Sequence, residues 1–129
     1  MTTPQIAAAE VAERAGAIAL QTRQRIAGVV ENMSWLDLPD GSRMELYGSG
    51  GGQVVADRLT RAVGADVPLL GQVPIEQGVR EAGDEGNPIV LRDPGSPAAK
   101  ALLDVADKLA VRRRGLAGMS LSIDTTRRG

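Results

Sequence analysis

The chain contains no cysteine and no histidine. Without thiols there is no disulfide, no nucleophilic thiolate and no iron–sulfur cluster held by this chain's own cysteines, and structural zinc loses both of its usual donors. Without imidazole there is no histidine-based triad. Large side chains are nearly as scarce: one Trp (Trp35), one Tyr (Tyr47) and no Phe stand among hydrophobic residues that make up 43% of the sequence. Eighteen of those are alanine, so any core must be aliphatic and thinly filled. An excess of one charge is missing too. Lys and Arg number 15 against 16 Asp and Glu, a net charge of −1, which removes the positive field that a general nucleic-acid or anionic-membrane binder uses. No apolar run approaches the ~18 residues of a membrane span, and Met1–Gln5 lacks the basic region and apolar stretch of a signal peptide. The expectation is a cytoplasmic protein whose partners are neither nucleic acid nor membrane. At 129 residues there is room for one small domain. Arg outnumbers Lys 13 to 2, which reads first as a compositional bias.

What is present alternates between helical and strand patterns. Thr3-Pro4 offers an N-cap hydroxyl followed by Pro at N1. A helix is expected from about residue 4 to 24, with Glu10, Glu13, Arg14 and Gln21 on one arc and Val11, Ala12, Ala15, Ile18 and Ala19 largely opposite. Ile26-Ala27-Gly28-Val29-Val30 is a continuous apolar run, the pattern of a strand covered on both faces. Residues 35 to 47 read as a hairpin turning at Pro39-Asp40-Gly41. Gly48-Ser49-Gly50-Gly51-Gly52 leads into an amphipathic helix with Val55, Leu59 and Ala62 at helical spacing, Asp57 four residues before Arg61, and Gly64 at its end. Val67 to Val73 is a second buried strand stopped by Pro74. A short helix from Glu76 to Ala82 and an extended Pro88–Leu91 follow. The last helix has Ser96 as N-cap, Pro97 at N1 and Leu102, Val105, Ala106 and Leu109 on one face, and runs to about Arg112. Residues 113–129 carry too little apolar material for a packed layer and are expected to be a mobile tail. The class is α/β with a parallel sheet, in one domain of residues 1–112.

Several motifs have a chemical and a bland reading. Bare amides at a helix N-terminus attract anions, so Gly48–Gly52 invites a phosphate. It lacks the Lys-Ser/Thr of a P-loop and follows a hairpin, and a flexible helix start that permits close packing is the stronger reading. Asn32 falls just past the first apolar strand, at the carboxyl end where ligands of open α/β sheets collect. Its carboxamide can pair donor and acceptor with adenine, although residue type and spacing favour a loop-capping Asn. Pro74 is by the same measure a strand terminator. Arg112-Arg113-Arg114 suits a helix C-terminus, and Glu81, Asp84 and Glu85 form a solvated acidic loop. Residue chemistry alone points to no catalysis.

Four segments in succession resemble one family: TTPQ at 2–5, GVVENMS at 28–34, GSGGG at 48–52 and VPLLGQVPIEQGVREAGDEGNPIVLRDPGSPAAKAL at 67–102. The chain is similar to the C-terminal portion of an Mrp/ApbC-type P-loop ATPase, the iron–sulfur cluster carrier branch of the MinD/ParA superfamily, over nearly all of residues 2–112. The resemblance implies the C-terminal part of a doubly wound, mostly parallel P-loop NTPase sheet with a small hairpin insertion. It also implies ATP binding and hydrolysis, a homodimer, and delivery of a cluster to apo iron–sulfur proteins. Two departures limit what carries over. The family's Walker A segment lies N-terminal to where this chain begins, so hydrolysis is not expected of the chain alone and its ATP binding should be weak or absent. Many members carry Cys-x-x-Cys where this chain reads Leu38-Pro39-Asp40-Gly41, so an iron–sulfur cluster is not expected to be ligated here. Adenine-side recognition does carry over: Asn32 resembles the family's base-contacting Asn, and Pro74-Ile75 resemble the segment bordering the base. Two functions follow. One is the C-terminal portion of a cluster carrier that is not an active enzyme by itself. The other is a non-enzymatic interaction module that pairs with itself or with a P-loop-bearing partner chain. In the family's fold a strand ending at TTPQ lies beside Ile26–Val30, so the chain is expected to self-associate through that edge or to be only partly ordered until a partner supplies the missing strands.

Overall fold

A computed structural model describes residues 1–118. In chain order the elements are α1 (Ala7–Gln21), β1 (Val29–Asp37), β2 (Arg43–Met44), α2 (Gly51–Val63), β3 (Leu69–Ile75), α3 (Gln77–Asp84), α4 (Ile89–Arg92) and α5 (Pro97–Gly118). The strands form one small mixed sheet in the order β2-β1-β3. β1 and β3 run parallel, pairing Val29 with Leu69 and Asn32 with Val73, and β2 is the antiparallel return of the expected hairpin.

The chain's first residues are committed to the sheet rather than to a helix. Thr2 forms a parallel bridge with Glu31: its amide donates to the Val30 carbonyl at 2.8 Å, and the Asn32 amide donates to the Thr2 carbonyl at 2.8 Å. Pro4 is buried behind it, so α1 starts at Ala7 without a side-chain cap, three residues later than expected, and Thr3 caps nothing. The buried stripe of α1 is also different. Ala9 and Gly16 are buried, while Val11 and Ile18 are 67% and 59% exposed. Close approach of α2 selects that stripe: a Cβ on Gly16 would lie 2.5 Å from Leu59 Cδ2, so only the small-residue face fits.

β1 overshoots the apolar run that announced it. The strand continues through Glu31 to Asp37, with an irregular register between Asn32 and Leu36, where Met33 adopts the left-handed region at φ 57. β3 likewise includes Pro74 and ends at Ile75. Gly71 and Val73 face β1 in the ladder, so Pro74 turns its missing donor to the outer edge, where nothing needs it. Asp57, expected to pair with Arg61, instead accepts from Gln53 Nε2 at 2.8 Å.

Two aliphatic clusters make the core. Val29, Val55, Ala56, Leu59 and Val67 close with Ala9 between α1, α2 and the sheet. Ala82, Ile89 and Ala99 join α3, α4 and α5. The second cluster corrects Pro88–Leu91: Ile89 is drawn inward by one helical turn, α4, and not by an extended segment. α5 begins as expected, with Ser96 Oγ accepting the Ala99 amide at 3.1 Å. Glu76 adds a second acceptor for the Ala98 amide at 3.0 Å. The helix then passes Arg112 and reaches Gly118, so residues 113–118 are helix and not tail; 119–129 of the expected tail lie outside the described residues.

Candidate functional site

Asn32 lies inside β1, the fourth of its nine residues, and not past the strand's end, and the parallel ladder sets it beside the carboxyl end of β3, which carries Pro74 and Ile75. Register pairs Asn32 with Val73, one residue before Pro74, and Leu36 with Ile75. Asn32 is half-buried, and its Oδ1 accepts the Met33 amide at 2.9 Å. That bond bridges the left-handed residue and is the loop-capping role expected of an Asn at such a kink. It consumes one lone pair. The carboxamide N–H₂ makes no hydrogen bond among the described residues, and a carbonyl oxygen keeps a second lone pair, so donor and acceptor are still paired for an incoming edge. Pro74 is buried and Ile75 half-buried beside it.

Sequence reasoning missed the residue next door. Glu31 is 1% exposed and among the largest fully buried side chains. Its Oε1 accepts from Ser34 Oγ at 2.7 Å and from Gln72 Nε2 at 2.9 Å, and its Oε2 accepts from the Gly52 amide at 2.6 Å. The carboxylate thus ties β1 to β3 and sits at the N-terminus of α2, where a negative charge is favoured. A lone Glu at the end of an apolar strand, with Ser three residues on, was the available signal.

Glu31 also settles the glycine cluster. A Cβ on Gly52 would lie 2.7 Å from Glu31 Oε2, and one on Gly51 would collide with the Pro4 carbonyl oxygen. Gly51 and Gly52 are there for close packing, Gly48 and Gly50 for the left-handed backbone at φ 83 and 81, and the Gly52 amide that could have received a phosphate receives the chain's own carboxylate.

Beyond the kink, Arg43 stacks 4.0 Å above the Trp35 ring and its Nε is 3.5 Å from Asp37 Oδ1. The indole N–H of Trp35 is buried without a partner among the described residues. Where a Cys-x-x-Cys pair would stand, Leu38-Pro39-Asp40-Gly41 forms a polar turn. Asp40 Oδ1 accepts from Ser42 Oγ at 2.6 Å and from the Ser42 amide at 2.9 Å. These bonds, the hydroxyl's first, hold the Asp40 carboxyl below its ordinary value. Among the described residues no group of three or more His, Cys, Asp or Glu could hold a metal ion, and no helix is long and apolar enough to cross a membrane. The acidic residues are not a solvated loop: Glu81 and Asp84 lie in α3 and Glu85 at its C-cap, and Arg92 pairs with Glu85 at 2.9 Å and Glu81 at 3.7 Å, clamping α4 to α3, while Asp84 pairs with Arg80 at 3.7 Å. Arg112, from the basic run, reaches Asp66 Oδ2 at 3.9 Å.

A family model described as ParA, NUBPL iron-transfer P-loop NTPase, matches residues 1–110. The chain belongs to this family. Among its ParA/NUBPL relatives, an iron–sulfur cluster carrier protein of Mycobacterium tuberculosis is 66% identical over 128 residues, which is 99% of this chain and 34% of that protein. The carrier protein of Synechocystis is 43% identical over 113 residues, covering 85% of this chain and 30% of the relative. The chain therefore spans about a third of the length of the curated relatives it matches. Among solved structures, the cell division ATPase MinD of Pyrococcus furiosus superposes with a TM-score of 0.65 at 24% identity, over 87% of this chain and 41% of that one. MinD of Pyrococcus horikoshii, complexed with Mg-ADP, gives 0.60 at 26% identity over 95% and 43%. The small mixed sheet and its helices are thus a portion of the MinD-like P-loop ATPase fold.

Proposed function

We propose that this chain serves as the C-terminal portion of an ATP-binding iron–sulfur cluster carrier, providing the adenine end of the nucleotide site. It is not competent alone for ATP hydrolysis or for holding a cluster. The observation that carries this reading is its 66% identity, along almost its whole length, to about a third of a named carrier. The residues present fit one end of ATP and not the other. Asn32, on β1 beside the Pro74-Ile75 wall, keeps the donor–acceptor pair that an adenine edge needs. The α2 N-terminus, filled by Glu31, offers no phosphate cradle. When bound, ATP supplies the phosphoanhydride whose cleavage drives the carrier; this chain's part is to bind and orient the base. The cluster is cargo for apo iron–sulfur proteins, and with no cysteine the chain leaves its ligation to another portion or protomer. It works in the cytoplasm as a homo-oligomer or with a P-loop-bearing chain.

Titration of the chain with ATP and with GTP, followed by NMR, tests the base site. ATP should shift the amides around Asn32 and Val73–Ile75 with weak affinity and GTP should not, since a bidentate amide–adenine pair discriminates by ~1–3 kcal/mol. Asn32→Ala should abolish the difference. Equal response to the two nucleotides, or an unchanged Asn32→Ala, would show that the site reads no base.

A further inference from the structure

Two residues of the GVVENMS segment, Met33 and Ser34, hold positions that base recognition by Asn32 does not by itself explain. In a regular strand the side chains alternate, so the residue two places on stands beside its predecessor on the same face. By that rule Ser34 would share the face of Asn32. It shares the side of Glu31 instead. Ser34 is 3% exposed, and its Oγ lies 2.7 Å from Glu31 Oε1 and 3.1 Å from the Glu31 carbonyl oxygen. The alternation is broken at Met33, whose φ is 57. The ladder records the break: β1 takes four steps from Asn32 to Leu36 while β3 takes two, from Val73 to Ile75.

A side chain with a Cβ is disfavoured in the left-handed region, and a methionine gains nothing there of the local hydrogen bonding that lets Asn or Asp visit it. Such a residue persists where its surroundings over-determine it. Both neighbours of Met33 do so. On one side Asn32 Oδ1 accepts the Met33 amide at 2.9 Å. On the other, the Ser34 hydroxyl donates to a carboxylate that is itself fixed by the Gly52 amide and Gln72 Nε2. A continuous run of bonds thus leads from the N-terminus of α2, through Glu31 and Ser34, to the bend that holds Asn32. Relaxing Met33 to extended backbone would restore the alternation, bring Ser34 round to the face of Asn32 and turn away the N–H on which Asn32 Oδ1 rests.

We infer that Met33 and Ser34 are positioning residues of the base site. The left-handed backbone at Met33, pinned through Ser34 to Glu31, clears the face on which Asn32 stands and fixes its carboxamide, leaving the N–H₂ group and one lone pair of Oδ1 to the adenine edge. The backbone of Met33 does this, and its thioether has no share in it. The inference rests on the proposed base site for its ligand, whereas the fixing of Asn32 belongs to the chain without nucleotide.

NMR on the 129-residue chain tests it with two substitutions that both remove the thioether. Asn tolerates the left-handed region, and the β-branched Val does not. Met33→Asn should keep the slow exchange of the residue-33 amide and the preference for ATP over GTP. Met33→Val should speed that exchange by on the order of tenfold or more and lose on the order of fivefold or more of the preference. Ser34→Ala leaves residues 32 and 33 untouched and decides the matter if Met33→Val does not fold. Exchange at residue 33 should again rise and the preference fall, while the Gly52 amide stays protected by the carboxylate that remains. Wild-type exchange in Met33→Val or in Ser34→Ala would overturn the inference, and so would a Met33→Asn variant as impaired as Met33→Val, since the side chain would then be the agent. Equal response of the wild-type chain to ATP and GTP would refute the base site alone, and the exchange rates at residue 33 would still decide whether the bend fixes Asn32.

Discussion

Glu31 offers the sharpest test of how this small fold is held together. Replacing it with Ala removes one acceptor from three donors, but the three are not equally stranded. Gln72 is exposed and turns to water, and Ser34 Oγ still lies 3.1 Å from the backbone carbonyl of residue 31. The Gly52 amide is buried and has no alternative. An orphaned buried N–H costs ~1–3 kcal/mol, and α2 loses the negative charge at its N-terminus, worth up to ~2 kcal/mol in partly buried geometry. Glu31→Ala should therefore destabilise the chain by about 3 kcal/mol, a large share of the roughly 5–15 kcal/mol available to a domain of this kind. Glu31→Gln keeps the shape. Its amide oxygen still accepts from Gly52, the Ser34 hydroxyl rotates and Gln72 flips, so only the charge-assisted part of the bonds is lost, about 1 kcal/mol. Urea unfolding measures both variants, and at m-values of ~1–3 kcal/mol/M the Ala change moves the midpoint by roughly 1–3 M. Hydrogen exchange should show the Gly52 amide deprotected in Ala and retained in Gln. An Ala variant within 1 kcal/mol of wild type, or a Gln variant as damaged as Ala, would refute the account of a carboxylate anchoring α2.

The glycines separate packing from conformation. Gly52→Ala should destabilise despite its better helix propensity, because the new methyl meets Glu31. Gly83→Ala in α3, with nothing within 4 Å, should stabilise by ~0.5–1 kcal/mol in thermal or urea melts. Ser96→Ala removes the α5 cap and should cost ~1 kcal/mol, with fraying confined to the first turn in exchange measurements. The Asp40 carboxyl should titrate by NMR below the ordinary carboxylate value, and Ser42→Ala should return it towards that value. Since the folded value is the lower one, the contribution of Asp40 to the turn is present above the ordinary value and fades as pH falls through the folded one.

Some of this protein was fully legible along the chain. Ser96-Pro97 starts a helix and Gly64, at φ 72, ends one, because caps are satisfied within a few residues by atoms the sequence places next to one another. The alternation of helices and apolar runs, and the succession of motifs through ENMS and the glycine cluster, were likewise enough for fold class and family. The zero count of cysteine decided on its own that this chain ligates no cluster through thiolates. What the chain could not show was everything satisfied at a distance. Glu31 looks like the end of a strand because a carboxylate is polar. It is the middle of one because Gly52 and Gln72, 21 and 41 positions away, supply its hydrogen bonds. Thr3-Pro4 carries the local signature of a helix start and forfeits it because Thr2 is claimed by β1. Val11 and Ile18 obey the helical period but face solvent, since contact between α1 and α2 is governed by how near two backbones can come at Gly16, and not by which face is the more apolar. Pro88–Leu91 lacks the length for a periodic signal, and only the space between α3 and α5 decides that Ile89 arrives there on a helical turn. Asn32 reads as a residue just past an apolar strand, and the structure places it inside β1. That its neighbour across the sheet is Val73, with Pro74 next along β3, was set by a parallel register, and such pairing leaves no mark in local sequence because its two partners lie some forty residues apart.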